Sequence, residues 1–361
     1  MESSADHVTM GGHCMRRCTT ISRLDDAASL HDAWVELADA CGAGPFARPL
    51  FALTWWRHLG QGSLMVVAVH DGDQLVALAP LHQRRIGPVQ VVRWLGHGLG
   101  TVAEALVRPG HDDAGELLWA TAAARGRVLD LIECRDLGPL PGQGPITARR
   151  AVALQERDVC PVIDVHGDAE AHLADPACKR VRRTVRVARR RLAEAGHTFG
   201  VRVAHDPATL EALLPDVRRV FDVAEADRPR QHLLDGEWAA FTSAIIHDGV
   251  ATGGVLVLVA YVDDVAAAFD IVLLTPGTMS SWIGRFDPAL AAFSPGHLLQ
   301  CAGLDWADAH GYTTIDLLLG DSFYKRLWAG RSYQTLELLS GPAPARAVLT
   351  GVGRLRERIR A

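Results

Sequence analysis

Strand-length and helix-length runs follow one another in nearly the same order twice along this 361-residue chain. The first half reads helix, helix, strand, strand, strand, helix, strand. The second reads strand, helix, helix, strand, strand, strand, helix, strand, helix, strand. Apolar spacing carries the assignment, with alternation or short apolar runs marking strands and i, i+3, i+4 recurrence marking helices. Strands interleaved with helices, repeated in order but not in sequence, predict an α/β (α+β sandwich) fold. It is built from two copies of one α/β unit. The length agrees, at roughly 100–200 residues per domain. The borders drawn this way give a disordered N-terminus at 1–19, units at 20–165 and 166–345, and a C-terminal helix at 346–361.

In the first half, Ile21–Ala40 and Phe51–Leu59 are expected helices, the second carrying Trp55 and Trp56, whose indoles either pack in the core or line a substrate site. Leu64–Val69, Asp71-Gly72 and Gln74–Leu81 spell a hairpin, because glycine supplies the positive φ of a two-residue turn. Pro80 is expected to end its second strand. Val89–Leu95 is a further strand. Gly96-His97-Gly98-Leu99-Gly100 reads as a turn, or as a phosphate cradle with His97 at a site; it lacks the G-x-G-x-x-G spacing. A helix at His111–Arg125, a strand at Val128–Cys134, a loop at Gly138–Thr147 and a closing strand at Val159–Val165 follow.

Composition narrows the function. A net charge of −5 gives no global attraction to nucleic acid, so such a role must rest on a local patch. The seven cysteines are scattered, and the pair Cys14 and Cys18 has no partner pair with metal-like spacing. No metal is expected, and a reducing, cytoplasmic compartment fits. Neither a signal peptide nor an apolar run of membrane-spanning length is read. Oligomeric state is not legible.

One local patch exists. Lys179 to Leu192 carries eight basic residues on an amphipathic helix. Lys179, Arg182, Arg183, Arg186 and Arg190 share one face, with Val181, Val185, Ala188 and Leu192 on another. The charged face is either merely solvated or a phosphate-binding surface for coenzyme A or RNA, for which arginine's planar fork is suited.

Strands at Phe199–Ala204, Gly253–Val262, Val265–Leu274 and Met279–Phe286 and helices at Leu210–Ala226 and Trp238–His247 lead to Asp287–Trp328, where candidate chemistry gathers. A loop is expected at Asp227–Arg230, and Pro215 is expected to kink or restart its helix. Ser294-Pro295-Gly296 starts a helix whose Gly296, His297 and Leu298 can offer backbone N–H groups to a donor's phosphates. The strand Thr314–Leu319 carries Asp316, and an earlier apolar strand carries Asp270. A carboxylate in such a strand either faces solvent or sits in a site, where it can take a proton from an attacking amine. Asp316 is placed first, Asp270 second. Tyr324 or Lys325 can donate to an oxyanion or leaving group. Trp282, in the strand before, is a substrate-lining candidate.

These pieces resemble a family. Phe51-Ala-Leu-Thr-Trp55-Trp56, Ala77-Leu-Ala-Pro80-Leu81, Trp94-Leu95-Gly96, Arg182-Arg183, Phe293 to Leu299 and Ile315 to Lys325 are similar to the CelD/BcsL-type tandem acetyltransferases of the GNAT superfamily, over about residues 20–340. The resemblance implies two tandem GNAT-like units, each a mixed, mostly antiparallel sheet flanked by helices. It implies an N-acyltransferase that uses acyl-CoA on a small-molecule amine acceptor, in a biosynthetic pathway. The related FemX-like transferases imply an alternative, aminoacyl-tRNA as donor and tRNA as partner. A third reading is a non-catalytic binding protein. The sequence departs from the family at Leu319, where arginine is usual, and at Gly100-Thr101-Val102, where Asp-Tyr is common; both departures point to a specialised acceptor.

Overall fold

The computed structural model describes residues 7–8, 16–124, 127–136, 151–227 and 233–345. Most of 1–19, the loop Gly138–Thr147, residues 228–230 of the expected loop and the expected helix 346–361 lie outside the described residues. The chain divides into two compact units: one runs to Asp158 and resumes at Gln334, the other is Val159–Tyr333. The expected strand Val159–Val165 thus falls in the second unit, where it pairs with Thr314–Asp316.

The first unit contains β1 (His7–Val8), β2 (Arg16–Ile21), α1 (Leu24–Ala28), α2 (His31–Ala40), α3 (Pro49–Leu59), β3 (Ser63–Asp71), β4 (Gln74–Ile86), β5 (Val89–Trp94), β6 (Ala103–Glu104), β7 (Leu106–Val107), α4 (Asp112–Ala122) and β8 (Val128–Asp136). The expected single helix Ile21–Ala40 is instead two. The Ser29 hydroxyl bonds back to the Asp26 carbonyl at 2.7 Å, competing for a helical acceptor. The hairpin forms with Gly72 and Asp73 as its loop, Gly72 at φ 60°. Pro80 does not end β4. Its carbonyl accepts from Leu95 N–H, so its ring nitrogen faces that same side. There β7 pairs only up to Leu78 and β5 begins only at Leu81, so no ladder donor is needed. Val91 and Val92 of β5 pair in parallel with β8.

The second unit starts within β9 (Ala151–Asp164) and continues through α5 (Ala169–Ala174), α6 (Lys179–Ala195), β10 (Phe199–Ala204), α7 (Pro207–Asp227), α8 (Ala239–Thr252), β11 (Val255–Val262), β12 (Val265–Thr275), β13 (Thr278–Phe286), α9 (Pro295–Ala309), β14 (Thr314–Asp316) and α10 (Phe323–Trp328); β15 (Arg331–Gly341) returns the chain to the first unit. Its sheet runs β9-β14-β13-β12-β11-β10. All neighbours are antiparallel except β13 and β14. Pro215 lies inside α7 without breaking it.

The second unit's core explains α6. Val181, Val185, Ala188 and Leu192 are buried with Leu298, Leu304 and alternate residues of β11, while the arginines stay exposed. Each large aliphatic side chain removed from water there contributes about 1.5–3 kcal/mol. Gly196, at φ 73°, closes the helix in the left-handed conformation.

Two local features shape the middle of this sheet. The register of β12 on β13 shifts between Ile271 and Val272: Ile271 faces Ile283, Val272 faces Ser281, and Trp282 is the extra residue. This bulge puts Ser281 on the same face as Gly284 and Asp270, which simple alternation forbids. Second, β14 stops after Asp316, shorter than the expected Thr314–Leu319 strand. Leu318 takes φ 57°, and Asp316 accepts the Leu318 N–H at 2.8 Å. β13 and β14 pair for only three residues, Thr278–Ser280 with Thr314–Asp316, and beyond them β13 pairs with β12 but not with β14.

Candidate active site in the second unit

Where β14 ends, one sheet face meets α9 and leaves a narrow crevice, part of it open to solvent. Leu258, Val272, Met279 and Ile315 form the sheet wall; Leu299, Gln300 and Gly303 form the α9 wall. Asp270 and Ser281 supply its sheet-side polar atoms. The Ser281 hydroxyl donates to Asp270 Oδ2 at 2.7 Å, and Asp270 Oδ1 has no partner. Gly284 lies opposite Asp270 in the ladder; a Cβ there would stand 3.5 Å from Oδ1. Burial, partly offset by Ser281 and Lys325, raises the Asp270 carboxyl from 3.8 to about 7. A carboxylate so placed is poised to exchange a proton near neutral pH.

Tyr324 and Lys325 come from the first turn of α10, which Ser322 caps by accepting the Lys325 N–H. The Tyr324 hydroxyl donates to the Gly296 carbonyl at 3.1 Å and approaches Gln300 Oε1 at 3.5 Å, tying α10 to the start of α9. Burial, with the negative charge of Asp270, pushes its phenol far up, so it remains a proton donor. Lys325 Nζ donates to the carbonyls of Leu319 (2.5 Å) and Leu318 (3.3 Å), leaving one N–H. Burial lowers its pKa, opposed by Cys160, Asp316 and Asp270. Leu319, where the resembling family usually has arginine, thus engages Lys325 through its backbone oxygen.

Asp316 is buried, with both oxygens engaged: Oδ1 by Leu318 N–H and Oδ2 by the Tyr333 hydroxyl at 2.8 Å. It fixes the turn after β14. Of the helix-start residues, Ser294 adopts φ 49° and its carbonyl accepts from His297 N–H at 3.0 Å. That tight turn consumes the His297 donor, and Gly296, which follows Pro295, holds a first-turn N–H of α9. Leu298 is core. The His297 ring is turned inward. Its Nδ1 accepts the Trp328 indole N–H at 3.0 Å, and it packs on Tyr324 and Trp328 with centroids at 4.9 and 5.9 Å. Burial lowers its pKa to about 4, so it is a neutral acceptor. Arg182, Arg183 and Arg186 lie exposed on α6, Arg182 touching the Ala174 carbonyl.

Trp282 goes to the opposite sheet face from Ser281, edge-on to Phe241 of α8 at 6.2 Å. Trp55, Trp56 and His97 belong to the first unit. There Trp55 and Trp56 flank the buried His82 ring at 5.2 and 6.2 Å. His97 sits in the turn after β5, burial holding it far below the usual histidine range.

Ser281, Gln300 and Tyr333 carry no signal in the sequence. The bulge that aims Ser281 is a register shift, and Tyr333 meets Asp316 only through the fold. Among the described residues no group of three His, Cys, Asp or Glu is placed to hold a metal, and no helix is long and apolar enough to cross a membrane.

Residues 179–326 match the family described as acetyltransferase (GNAT) domain. No curated protein matches the chain in sequence. Among solved structures, FemX superimposes with a TM-score of 0.60 at 11% identity, over 86% of this chain and 95% of that one. A conserved protein of unknown function from Bacteroides thetaiotaomicron gives 0.55 at 10% identity, over 90% and 99%. L-PGS from Bacillus licheniformis gives 0.52 at 13% identity, over 91% and 97%. At such identities the likeness establishes the fold.

Proposed function

We propose that this chain, an acyltransferase of the GNAT type by the match of residues 179–326, moves an acyl group from acyl-CoA to the amine of a small-molecule acceptor. The observation that carries the reading is Asp270: a buried carboxyl with a free oxygen, lining a crevice and near enough to Tyr324 and Lys325 for its charge to act on both. The acceptor's ammonium gives one proton to Asp270. The freed nitrogen attacks the thioester carbon, forming a C–N bond; the Lys325 N–H not held by carbonyls faces the oxyanion. The C–S bond then breaks, the Tyr324 hydroxyl protonates the departing sulfur, and the tyrosine recovers its proton from the new amide nitrogen. Asp270 stands ahead of Asp316 as base because both Asp316 oxygens are occupied. The Gly296 N–H and the α9 dipole favour the donor's phosphates.

The test is thiol release from a set of acyl-CoAs with a panel of amines, read by a thiol reagent and by mass of the amide. Amide formation that depends on Tyr324 and Asp270 supports the reading; silence with every pair sinks it.

One observation favours a second donor. Arg183 and Arg186 have no acidic partner among the described residues, although Arg189 pairs with Glu170 and Arg190 with Glu194. Open arginines on one helix suit a polyphosphate, and aminoacyl-tRNA would then replace acyl-CoA. Charge reversal at Arg182, Arg183 and Arg186 should abolish tRNA binding, and affinity indifferent to salt would dismiss this donor. A protein that binds neither donor in calorimetry would be the non-catalytic GNAT-fold binding protein. A cytoplasmic location and a biosynthetic role accompany the leading reading.

A further inference from the structure

Asp316, the carboxylate expected first as the base, has a different task in the fold. We propose that it is a positioning residue: the turn it ties after β14 aims two backbone carbonyls at the Lys325 ammonium and holds that ammonium ready for the oxyanion. The last step rests on the acyl-transfer reading; the cradle does not.

The backbone comes first. β14 pairs with β9 as far as Asp316 opposite Val162, and the Leu317 N–H continues the ladder by donating to the Pro161 carbonyl at 3.0 Å. The next bond comes from Gly320, whose N–H donates to the Val159 carbonyl at 3.0 Å. A regular ladder would put Leu319 there. The segment therefore carries one residue more than β9, a bulge of the kind that re-aims its neighbours. The extra length is taken up at Leu318, whose φ of 57° is disfavoured for a leucine. Asp316 Oδ1 holds this conformation by accepting the Leu318 N–H at 2.8 Å, as an aspartate two residues upstream can in a tight turn. Oδ2 accepts the Tyr333 hydroxyl at 2.8 Å, so the carboxylate is itself fixed.

The ammonium comes second. The carbonyls displaced by the bulge, those of Leu318 and Leu319, accept from Lys325 Nζ at 3.3 and 2.5 Å. A charge on so buried a side chain needs acceptors that are already in place. The negative charge of Asp316 also favours the charged lysine. Asp316 thus acts on Lys325 by shape and by charge. A turn that merely closed the fold would be indifferent to what its carbonyls hold, and there the two roles part.

Lys325→Ala removes Cγ, Cδ, Cε and Nζ, the heavy atoms of n-propylammonium. The experiment titrates this variant of the whole chain with n-propylammonium chloride and, at equal ionic strength, with tetramethylammonium chloride, which has no N–H. The thermal unfolding midpoint is read, because a ligand of the folded state raises it with concentration. A saturable rise with n-propylammonium alone is expected, and none in the wild type. Adding Asp316→Asn keeps an acceptor for the Leu318 N–H but loses the charge, so the rise should persist with its half-maximal concentration about fivefold higher. Adding Asp316→Ala should abolish it; the asparagine arm decides if the alanine variant does not fold. With Lys325 present, Asp316→Ala should lower kcat by about ten- to a hundredfold at a KM for acyl-CoA within about twofold, and Asp316→Asn should recover most of that loss. No rise with n-propylammonium, an equal rise with tetramethylammonium, or a half-maximal concentration unmoved by Asp316→Asn overturns the proposal. Rescue as stated while no donor yields an amide sinks the transferase reading and leaves the cradle standing. Amide formation unmoved by Asp316→Ala does the reverse.

Discussion

Replacing Asp270 by asparagine should make the protein slower and, at alkaline pH, more stable. The carboxyl sits at about 7 in the fold against 3.8 when unburied. A raised value means folding takes up a proton, so this group's contribution is fully present below pH 3.8 and is lost as pH rises through about 7. At about 1.4 kcal/mol per pH unit of separation, holding the charge in the fold costs about 4 kcal/mol above pH 7. Asparagine keeps the Ser281 hydrogen bond and removes the charge, but its amide N–H groups lack partners, which costs about 1–3 kcal/mol. The net expectation at pH 8 is a gain of about 2 kcal/mol, reversing to a small loss near pH 4. Urea unfolding at pH 8, 6 and 4 reads this directly. In parallel, kcat should fall by roughly 10²–10⁴, and the rise of the wild-type rate through pH 7 should disappear. A variant that is less stable than wild type at pH 8 would show that the carboxylate is not desolvated. A variant that also turns over normally would remove Asp270 from the chemistry.

Tyr333→Phe strands a buried Asp316 oxygen and should lower stability by about 1–3 kcal/mol in urea unfolding. His297 is lowered from 6.5 to about 4, so its share of stability is complete above pH 6.5 and is lost as pH falls through about 4; the loss is about 3 kcal/mol, and His297→Gln should flatten that acid limb in a pH series of melts. Gly62→Ala should destabilise by more than about 3 kcal/mol in chemical denaturation, because Gly62 sits at φ 92° and a Cβ would lie 2.2 Å from the Gln83 carbonyl oxygen. Leu192→Ala, under the basic helix, should cost about 2–5 kcal/mol while leaving the exposed arginines in place.

Much of the fold is legible in the sequence because its signals are local. The hairpin at Gly72, shifted one residue from the expected Asp71-Gly72 turn, the four-residue apolar spacing of α6 and the apolar runs of β11 and β12 depend on neighbours within a few residues. The misjudged places share another cause. Pro80 continues β4 because a gap between two partner strands happens to face it. Ser29 splits a helix by taking one carbonyl. β14 stops at Asp316 because the carboxylate captures the Leu318 N–H.

The site divides along the same line. Asp270, Asp316, Tyr324 and Lys325 were visible as titratable residues in or after apolar strands, and the helix start at Ser294-Pro295-Gly296 was visible as a turn. Which carboxylate is free was not. Both sit in apolar strands, and alternation cannot say that Tyr333 and Leu318 occupy Asp316 while a bulge at Trp282 brings only Ser281 to Asp270. Sequence by itself determined two α/β units and the chemical inventory, since periodicity and residue type are properties of the chain. The tertiary structure alone decided which oxygen is left without a partner, because hydrogen-bond satisfaction in a core is settled by residues far apart in sequence.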